Sequence, residues 1–362
     1  MSDKIKDIIV TMIFLGIIIV FFIINAVKKD DTISISERRK LEQFPSFSVS
    51  KLFDGTFSEK FDKYATDQFW KREDFRKLKI NFQFDILKKQ DYNDMYVYNG
   101  YIIEQIYPLN NNSINNFTNK MNYIKNRYLT KDNKSYFTIV PDKNYFVNEN
   151  NLKINYTEME NILTRDLEFA KYIKIFNKLE LSDYYKTDAH WKQENLINVA
   201  NEIAEKMNID VKSNYKNVRI DNFEGGYSGR IPVDKQNDEI RILTNDVLEN
   251  CTVYNYETNK QTNIYDMTKK NGLDKYDVYL SGALSLIVIE NPNSTSKREL
   301  IVFRDSFASS LIPLLVKSYN KITLVDTRYI SPKILDRYIE FSNQDILFVY
   351  STLIINNSVS LK

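Results

Sequence analysis

Cysteine and histidine are almost missing from this 362-residue chain, where Cys251 and His190 each stand alone. A single cysteine excludes any intrachain disulfide, and a single histidine excludes the Cys/His sets that hold structural zinc. Any imidazole chemistry therefore falls to His190, and a Cys–His site has only that one pair to draw on. Glycine (8) and proline (7) are scarce, which removes the low-complexity classes. No sign of charge dominates either. The chain sets 50 basic residues against 48 acidic ones for a net charge of +2, too weak a field to make nucleic acid a partner. Its most basic stretches, Lys71 to Lys79 and Lys88 with Lys89, alternate with acids and apolar residues and read as solvated helix faces. The scarcity of cysteine and histidine leaves carboxylates alone as metal ligands, but no acidic loop has the spacing of a calcium site, and no cofactor is expected.

What the chain does have is 43% hydrophobic and 14% aromatic residues, enough for one large core. Residues Ile8 to Val27 are almost wholly apolar and about as long as a helix needs to cross a bilayer. A cleaved signal peptide is the rival, but the run is longer than a usual signal core, and Ile24-Asn25-Ala26 is a poor cleavage site. Lys4 and Lys6 before the run balance Lys28 and Lys29 after it, so charge does not orient the span. A short tail before one span and a large domain after it places that domain outside the cytoplasm. The expected organisation is a cytoplasmic tail at 1–7, a transmembrane anchor at 8–27, a polar stalk at 28–50 and a single domain at 51–362.

Within the domain, Phe61, Tyr64, Phe69, Phe75, Leu78, Phe82 and Ile86 recur at helical intervals and predict one or two amphipathic helices over 57–89. Short apolar runs at Met95–Tyr98, Tyr101–Ile103 and Tyr136–Val140 predict strands. From Glu299 onward the pattern alternates: strand Glu299–Phe303, helix Phe307–Tyr319, strand Lys321–Val325, helix Ser331–Phe341, strand Asp345–Tyr350. Strands apolar on both faces in a βαβαβ order predict an α/β fold with a mostly parallel sheet whose ligands sit at the carboxyl ends of its strands.

Two motifs carry candidate chemistry. Arg304-Asp305-Ser306-Phe307 stands where the first of these strands turns into its helix. There Ser306 is a candidate nucleophile, while Asp305 or Ser306 serving only as a helix cap is the plainer alternative. Thr187-Asp188-Ala189-His190-Trp191 precedes a helical segment from about Lys192 to Met207. Residues two apart do not face each other on a helix, so an Asp188–His190 contact requires a turn there. In a turn, the carboxylate can hold one ring nitrogen and leave the other to take a proton from a serine; a histidine merely packed beside tryptophan is the alternative. A third cluster, Gly225-Gly226-Tyr227-Ser228-Gly229, has no phosphate-loop spacing and is expected to be an ordinary turn.

Asp-x-His-Trp followed far downstream by a strand and x-Asp-Ser-Phe resembles the DHHW proteins, relatives of the alginate O-acetylation proteins in the SGNH hydrolase superfamily. Further stretches carry the resemblance in order: Ser36-Glu37-Arg38-Arg39-Lys40-Leu41 with Pro45, Asp67-Gln68-Phe69 with Arg72, Tyr279 to Ala283, and Asp326-Thr327-Arg328-Tyr329. Two positions depart from the pattern: Ala189 replaces the first histidine of the family name, and Arg304 stands where ordinary SGNH enzymes carry glycine. The resemblance implies an SGNH-like three-layer αβα sandwich behind the N-terminal transmembrane helix. It implies Ser306 as nucleophile, His190 as general base and acid, and Asp188 as the orienting acid. The activity it implies is extracytoplasmic O-acetyl transfer to an exopolysaccharide or envelope glycan through an acyl-serine, with a membrane-bound O-acyltransferase as the partner that supplies acetyl. A polysaccharide O-acetylesterase is the first alternative, and a non-catalytic scaffold or glycan-binding protein the second.

Overall fold

The computed structural model describes residues 3–34, 37–147, 151–231 and 237–362. Its contacts separate two compact units: the described residues up to Tyr92 together with 229–231, and those from Asn93 to Ser228 and from 237 to Lys362.

The N-terminal unit begins with helix α1 (Asp3–Val27), which buries none of its residues and is long and apolar enough to cross a membrane. The segment after it is less loose than its polarity suggests. Strands β1 (Ile33–Ser34) and β2 (Arg39–Lys40) pair antiparallel. Helices α2 (Val49–Phe53), α3 (Thr56–Asp67) and α4 (Arg72–Asn81) follow, and α4 runs on through a π-turn at Phe82–Ile86. The end of α3 ties this region down. Asp67 accepts from Arg39 at 2.7 and 2.5 Å and from the Glu42 amide at 2.8 Å, and the Arg39 hydrogen bond holds its carboxyl down at about 2. Gln68 donates to the Asp31 carbonyl at 2.8 Å, and Glu37 pairs with Arg72 at 2.9 Å. Two of the resemblance stretches thus meet in one ion-pair cluster, while Ser36 lies outside the described residues. Within the stretch expected as a stalk, Asp31, Arg39 and Glu42 are thus tied to the end of α3, and residues 51–92 fall in the same unit.

The second unit opens with the hairpin of β3 (Met95–Tyr98) and β4 (Tyr101–Glu104). In chain order come α5 (Asn111–Tyr128), β5 (Ser135–Val140), α6 (Tyr156–Asp166), β6 (Lys171–Tyr172) and α7 (Ile197–Met207). Then follow the paired β7 (Lys216–Phe223) and β8 (Asp238–Thr244), and the strands β9 (Thr252–Asn255), β10 (Lys260–Thr262), β11 (Leu286–Glu290), β12 (Glu299–Arg304), β13 (Lys321–Val325) and β14 (Asp345–Ser351). Eight of them form one sheet in the order β10-β9-β11-β13-β12-β14-β5-β6. It is parallel from β13 to β6 and antiparallel from β10 to β13.

Alternate residues of one strand serve opposite cores because strand side chains alternate between faces. Leu300 and Val302 of β12 join Leu347 and Val349 of β14 in a core closed by Val199 and Ile203 of α7 and by Leu311 and Leu315. Ile301 and Phe303 join Ile346 and Phe348 in a second core closed by Ile114 and Phe117 of α5 and Met159 and Leu163 of α6. The expected three-layer α/β arrangement is therefore present, with the predicted strands in place. The predicted helices between them are tighter and shorter. After β12 the chain is α-helical only over Ala308–Leu311 and 3₁₀ over Ile312–Ser318, because Pro313 has no N–H to give to the preceding turn. The helix predicted at 331–341 is a 3₁₀ segment, Pro332–Arg337. The one predicted from Lys192 begins as a 3₁₀ turn at Gln193–Asn195 and becomes α7 at Ile197.

Candidate active site

β12 ends at Arg304, and the chain turns at Asp305 and Ser306 at the carboxyl edge of the sheet. Asp305 is fully buried. Its carboxylate accepts from the Phe307 amide at 3.0 Å and the Ser351 amide at 2.7 Å, and its own amide donates to the Val349 carbonyl at 3.1 Å. Neither Asp305 nor Ser306 caps the helix, which begins at Ala308 behind Phe307; Asp305 instead closes the turn and pins it to the end of β14. The hydroxyl of Ser306 points instead to His190, with 2.8 Å between Oγ and Nε2.

His190 stands in a bend, as the Asp188 contact requires. One carboxylate oxygen of Asp188 accepts from the His190 amide at 3.1 Å and lies 2.6 Å from Nδ1. With Nδ1–H given to the carboxylate, Nε2 presents its lone pair to the Ser306 hydroxyl. The ring lies flat on Tyr276, at 3.9 Å between centroids and 13° between planes, with Phe307 on another side at 4.8 Å. Trp191 sets the spacing between the two motifs: its indole N–H donates to the Phe307 carbonyl and to Ser310 Oγ, both at 3.0 Å. Gln193 adds a second tie, donating to the Ser310 carbonyl at 2.8 Å while accepting from the Leu243 amide.

Four features hold this arrangement from behind. The glycine-rich loop, expected to be an ordinary turn, packs against Thr187 and Asp188. The Gly226 amide donates to the second carboxylate oxygen of Asp188 at 2.8 Å, the Gly225 amide to Thr187 Oγ1 at 2.8 Å, and the Tyr227 amide to the Thr187 carbonyl at 2.9 Å. A Cβ at Gly225 would fall 2.3 Å from the Thr187 carbonyl oxygen and 2.4 Å from the Asp188 Cβ, so only glycine fits. Asp238, at the start of β8, accepts from the Lys186 and Thr187 amides and from the Thr187 hydroxyl at 2.7–3.0 Å. Lys143, just past β5 and 3% exposed, donates to the carbonyls of Tyr185 and Lys186 at 3.1 and 3.3 Å. Burial pushes its ammonium down to about 7, against the pull of the carboxylates of Asp188, Asp238, Glu104 and Asp142. Arg304 is likewise fully buried, donating to Ser309 Oγ at 2.7 Å and to the Gly282 carbonyl at 3.2 Å. Leu280, Ser281 and Gly282 all have left-handed backbone there, and a Cβ at Gly282 would fall 2.2 Å from Asp277. The stretch 279–283 therefore packs behind the Ser306 turn.

Some signals for these residues were in the sequence. Three glycines stand together in a chain of eight, and Pro141-Asp142-Lys143 follows an apolar strand that ends at the same sheet edge. Cys251 plays no part with His190. It is buried, donates to the Val247 carbonyl at 3.1 Å, and has its thiol pushed up to about 12 by burial. Among the described residues no group of three or more His, Cys, Asp or Glu side chains is spaced to hold a metal ion.

No family model matches the chain, and no curated protein does. Solved structures do. A DHHW family protein from Eubacterium siraeum aligns with a TM-score of 0.59 and 19% identity over 74% of this chain and 96% of its own. PatB1 of Bacillus cereus aligns with a TM-score of 0.56 and 19% identity over 72% and 96%, and its sulfonyl adduct with 0.55 over 73% and 95%. The sandwich that brings Asp188, His190 and Ser306 together is thus the fold of a DHHW family protein and of PatB1.

Proposed function

We propose that this chain is a membrane-anchored, extracytoplasmic serine O-acyltransferase that moves acetyl groups onto glycan hydroxyls. One observation carries the chemistry: the unbroken line from Asp188 through Nδ1 and Nε2 of His190 to Ser306 Oγ, at 2.6 and 2.8 Å. In the first step the Ser306 proton passes to Nε2 as Oγ bonds to the acyl carbonyl carbon. The same proton then returns to the leaving oxygen as that bond breaks, which leaves an acyl-serine. In the second step His190 takes the proton of an acceptor hydroxyl, the acceptor oxygen bonds to the acyl carbon, and Ser306 leaves with its proton restored. Asp188 stabilises the imidazolium between steps and keeps the ring from turning.

The motif resemblance to DHHW and alginate O-acetylation proteins favours acetyl over longer acyl groups and a glycan over water as acceptor. The apolar α1 supports an anchor that keeps the domain beside the membrane, where a multi-spanning O-acyltransferase would deliver acetyl. The sulfonyl adduct of PatB1 makes sulfonyl fluorides natural reagents for Ser306. The test is acetyl release from a chromogenic acetyl ester by the full-length protein, with and without an oligosaccharide acceptor. Transfer predicts acetylated oligosaccharide, and release of free acetate alone identifies an esterase. Activity unchanged in Ser306→Ala, or absent from the wild type, returns the chain to the scaffold class.

A further inference from the structure

Helix α4 has three sides where a helix on a soluble domain has two. One arc carries Arg72 and Arg76, engaged with Glu37 and Glu73, and the buried Ile80. A second carries Asp74, Lys77 and Asn81, all exposed and polar. The third carries Phe75, Leu78, Phe82 and Ile86, spaced three, four and four apart along one face and 43%, 64%, 51% and 65% exposed. This apolar stripe runs about 16 Å along the helix.

Its near end rests on α1. Phe21 stacks on Phe69 at 5.5 Å and 11° and meets Trp70 and Phe75 at 5.9 and 6.0 Å, while the Asn25 side chain accepts from the Trp70 amide at 2.7 Å. At 1.5 Å per residue, Phe21 lies about 9 Å inside the end of α1 at Val27. That is the depth at which in-plane amphipathic helices bury their apolar faces, about 5–10 Å into the headgroup boundary. Trp70, with Lys71 Nζ 5.2 Å over its ring, is the aromatic and cationic pairing that suits this boundary.

We propose that α4 and its π-turn lie in the interface of the bilayer that α1 spans, with Phe75, Leu78, Phe82 and Ile86 inserted among lipid. The continuity of the stripe with the span, through the Phe21 contacts, selects lipid as its occupant. The proposal rests on α1 being a retained span and is independent of the chemistry at Ser306.

Full-length protein with the Cys251→Ser background is spin-labelled singly at Leu78→Cys, Phe82→Cys, Ile86→Cys, Lys77→Cys or Phe14→Cys. Each is reconstituted at one copy per nanodisc of phosphatidylethanolamine and phosphatidylglycerol. Power-saturation spectroscopy compares access by oxygen, which partitions into lipid, with access by a water-soluble nickel chelate. The proposal expects the three stripe labels and Phe14→Cys to show an oxygen-to-nickel ratio several-fold above that of Lys77→Cys. Stripe labels as open to nickel as Lys77→Cys, with Phe14→Cys in lipid, overturn the proposal and leave the anchor standing. Phe14→Cys in water overturns the anchor as well. In a parallel preparation at two copies per nanodisc, stripe labels closed to both reagents assign the stripe to a second chain and overturn lipid.

Discussion

Ser306 and His190 meet at 2.8 Å, yet the two sides of that contact are built differently. The serine side rests on the sheet: β12 is buried on both faces, its neighbours β13 and β14 are parallel, and Asp305 locks the turn to β14. The histidine side, residues 185–191, belongs to no strand of the sheet. Asp238, the amides of Gly225 and Gly226 and the ammonium of Lys143 reach it from distant stretches of chain, and its own Trp191 indole reaches out to Phe307 and Ser310. Apolar burial fixes one half of the site and hydrogen bonds fix the other. Damage to the first half should appear as lost stability, and damage to the second as lost rate.

The largest effect belongs to the contact itself. Ser306→Ala should lower kcat/KM for acetyl transfer by on the order of 10⁴-fold or more, measured on protein whose circular dichroism is unchanged. Leu300→Ala, which hollows the apolar core on one face of β12, should cost about 2–5 kcal/mol in denaturant unfolding while kcat/KM of the folded protein holds. A rate loss without a stability loss would reverse the comparison. Gly225→Ala drives a methyl into Thr187 and Asp188 and should lower kcat about 10²-fold through misplacement of the imidazole. Trp191→Phe keeps an aromatic ring but loses the indole N–H and both its hydrogen bonds, and should lower kcat roughly tenfold through a shifted imidazole.

The last effect is read as a slope against pH. The Lys143 ammonium is lowered in the fold to about 7 from 10.5. Between those values the unfolded chain holds a proton that the folded chain has given up, so this residue's penalty is full below the lower value and fades as pH rises. Wild-type stability should therefore gain on Lys143→Met by about 1.4 kcal/mol per pH unit from roughly pH 7 to 10. Parallel pH curves for the two proteins would show that Lys143 titrates normally.

The same contrast explains what could be read without coordinates. Strands β5, β12, β13 and β14 were legible because a strand covered on both faces is apolar throughout. β11 has the same run, Leu-Ile-Val-Ile, but Asn291-Pro292-Asn293 follows it instead of a helix, so the alternation does not point to it. β9 buries only alternate residues, and β10 is three residues long. Ser306, His190 and Asp188 were legible through rarity and position: one histidine, an acid two residues before it, and a serine at a strand end. Asp238 stands in no pattern, and Lys143 and the 225–226 glycines show in the sequence only as a strand end and a glycine cluster, because their roles are hydrogen bonds to chain far away in sequence. The ties of Asp67 and Gln68 to the chain around Asp31 and Glu42 are hidden in the sequence for a similar reason, since they run from side chain to backbone.

The most direct test is to look for the acyl group on the serine. Full-length protein is mixed with a reactive acetyl ester, quenched in acid, digested and analysed by mass spectrometry. Acetyl should appear on Ser306, accumulate in the absence of an acceptor, disappear when an oligosaccharide is added, and fail to form in His190→Ala. An unmodified Ser306 during turnover, or acetyl carried on a different residue, would contradict the account.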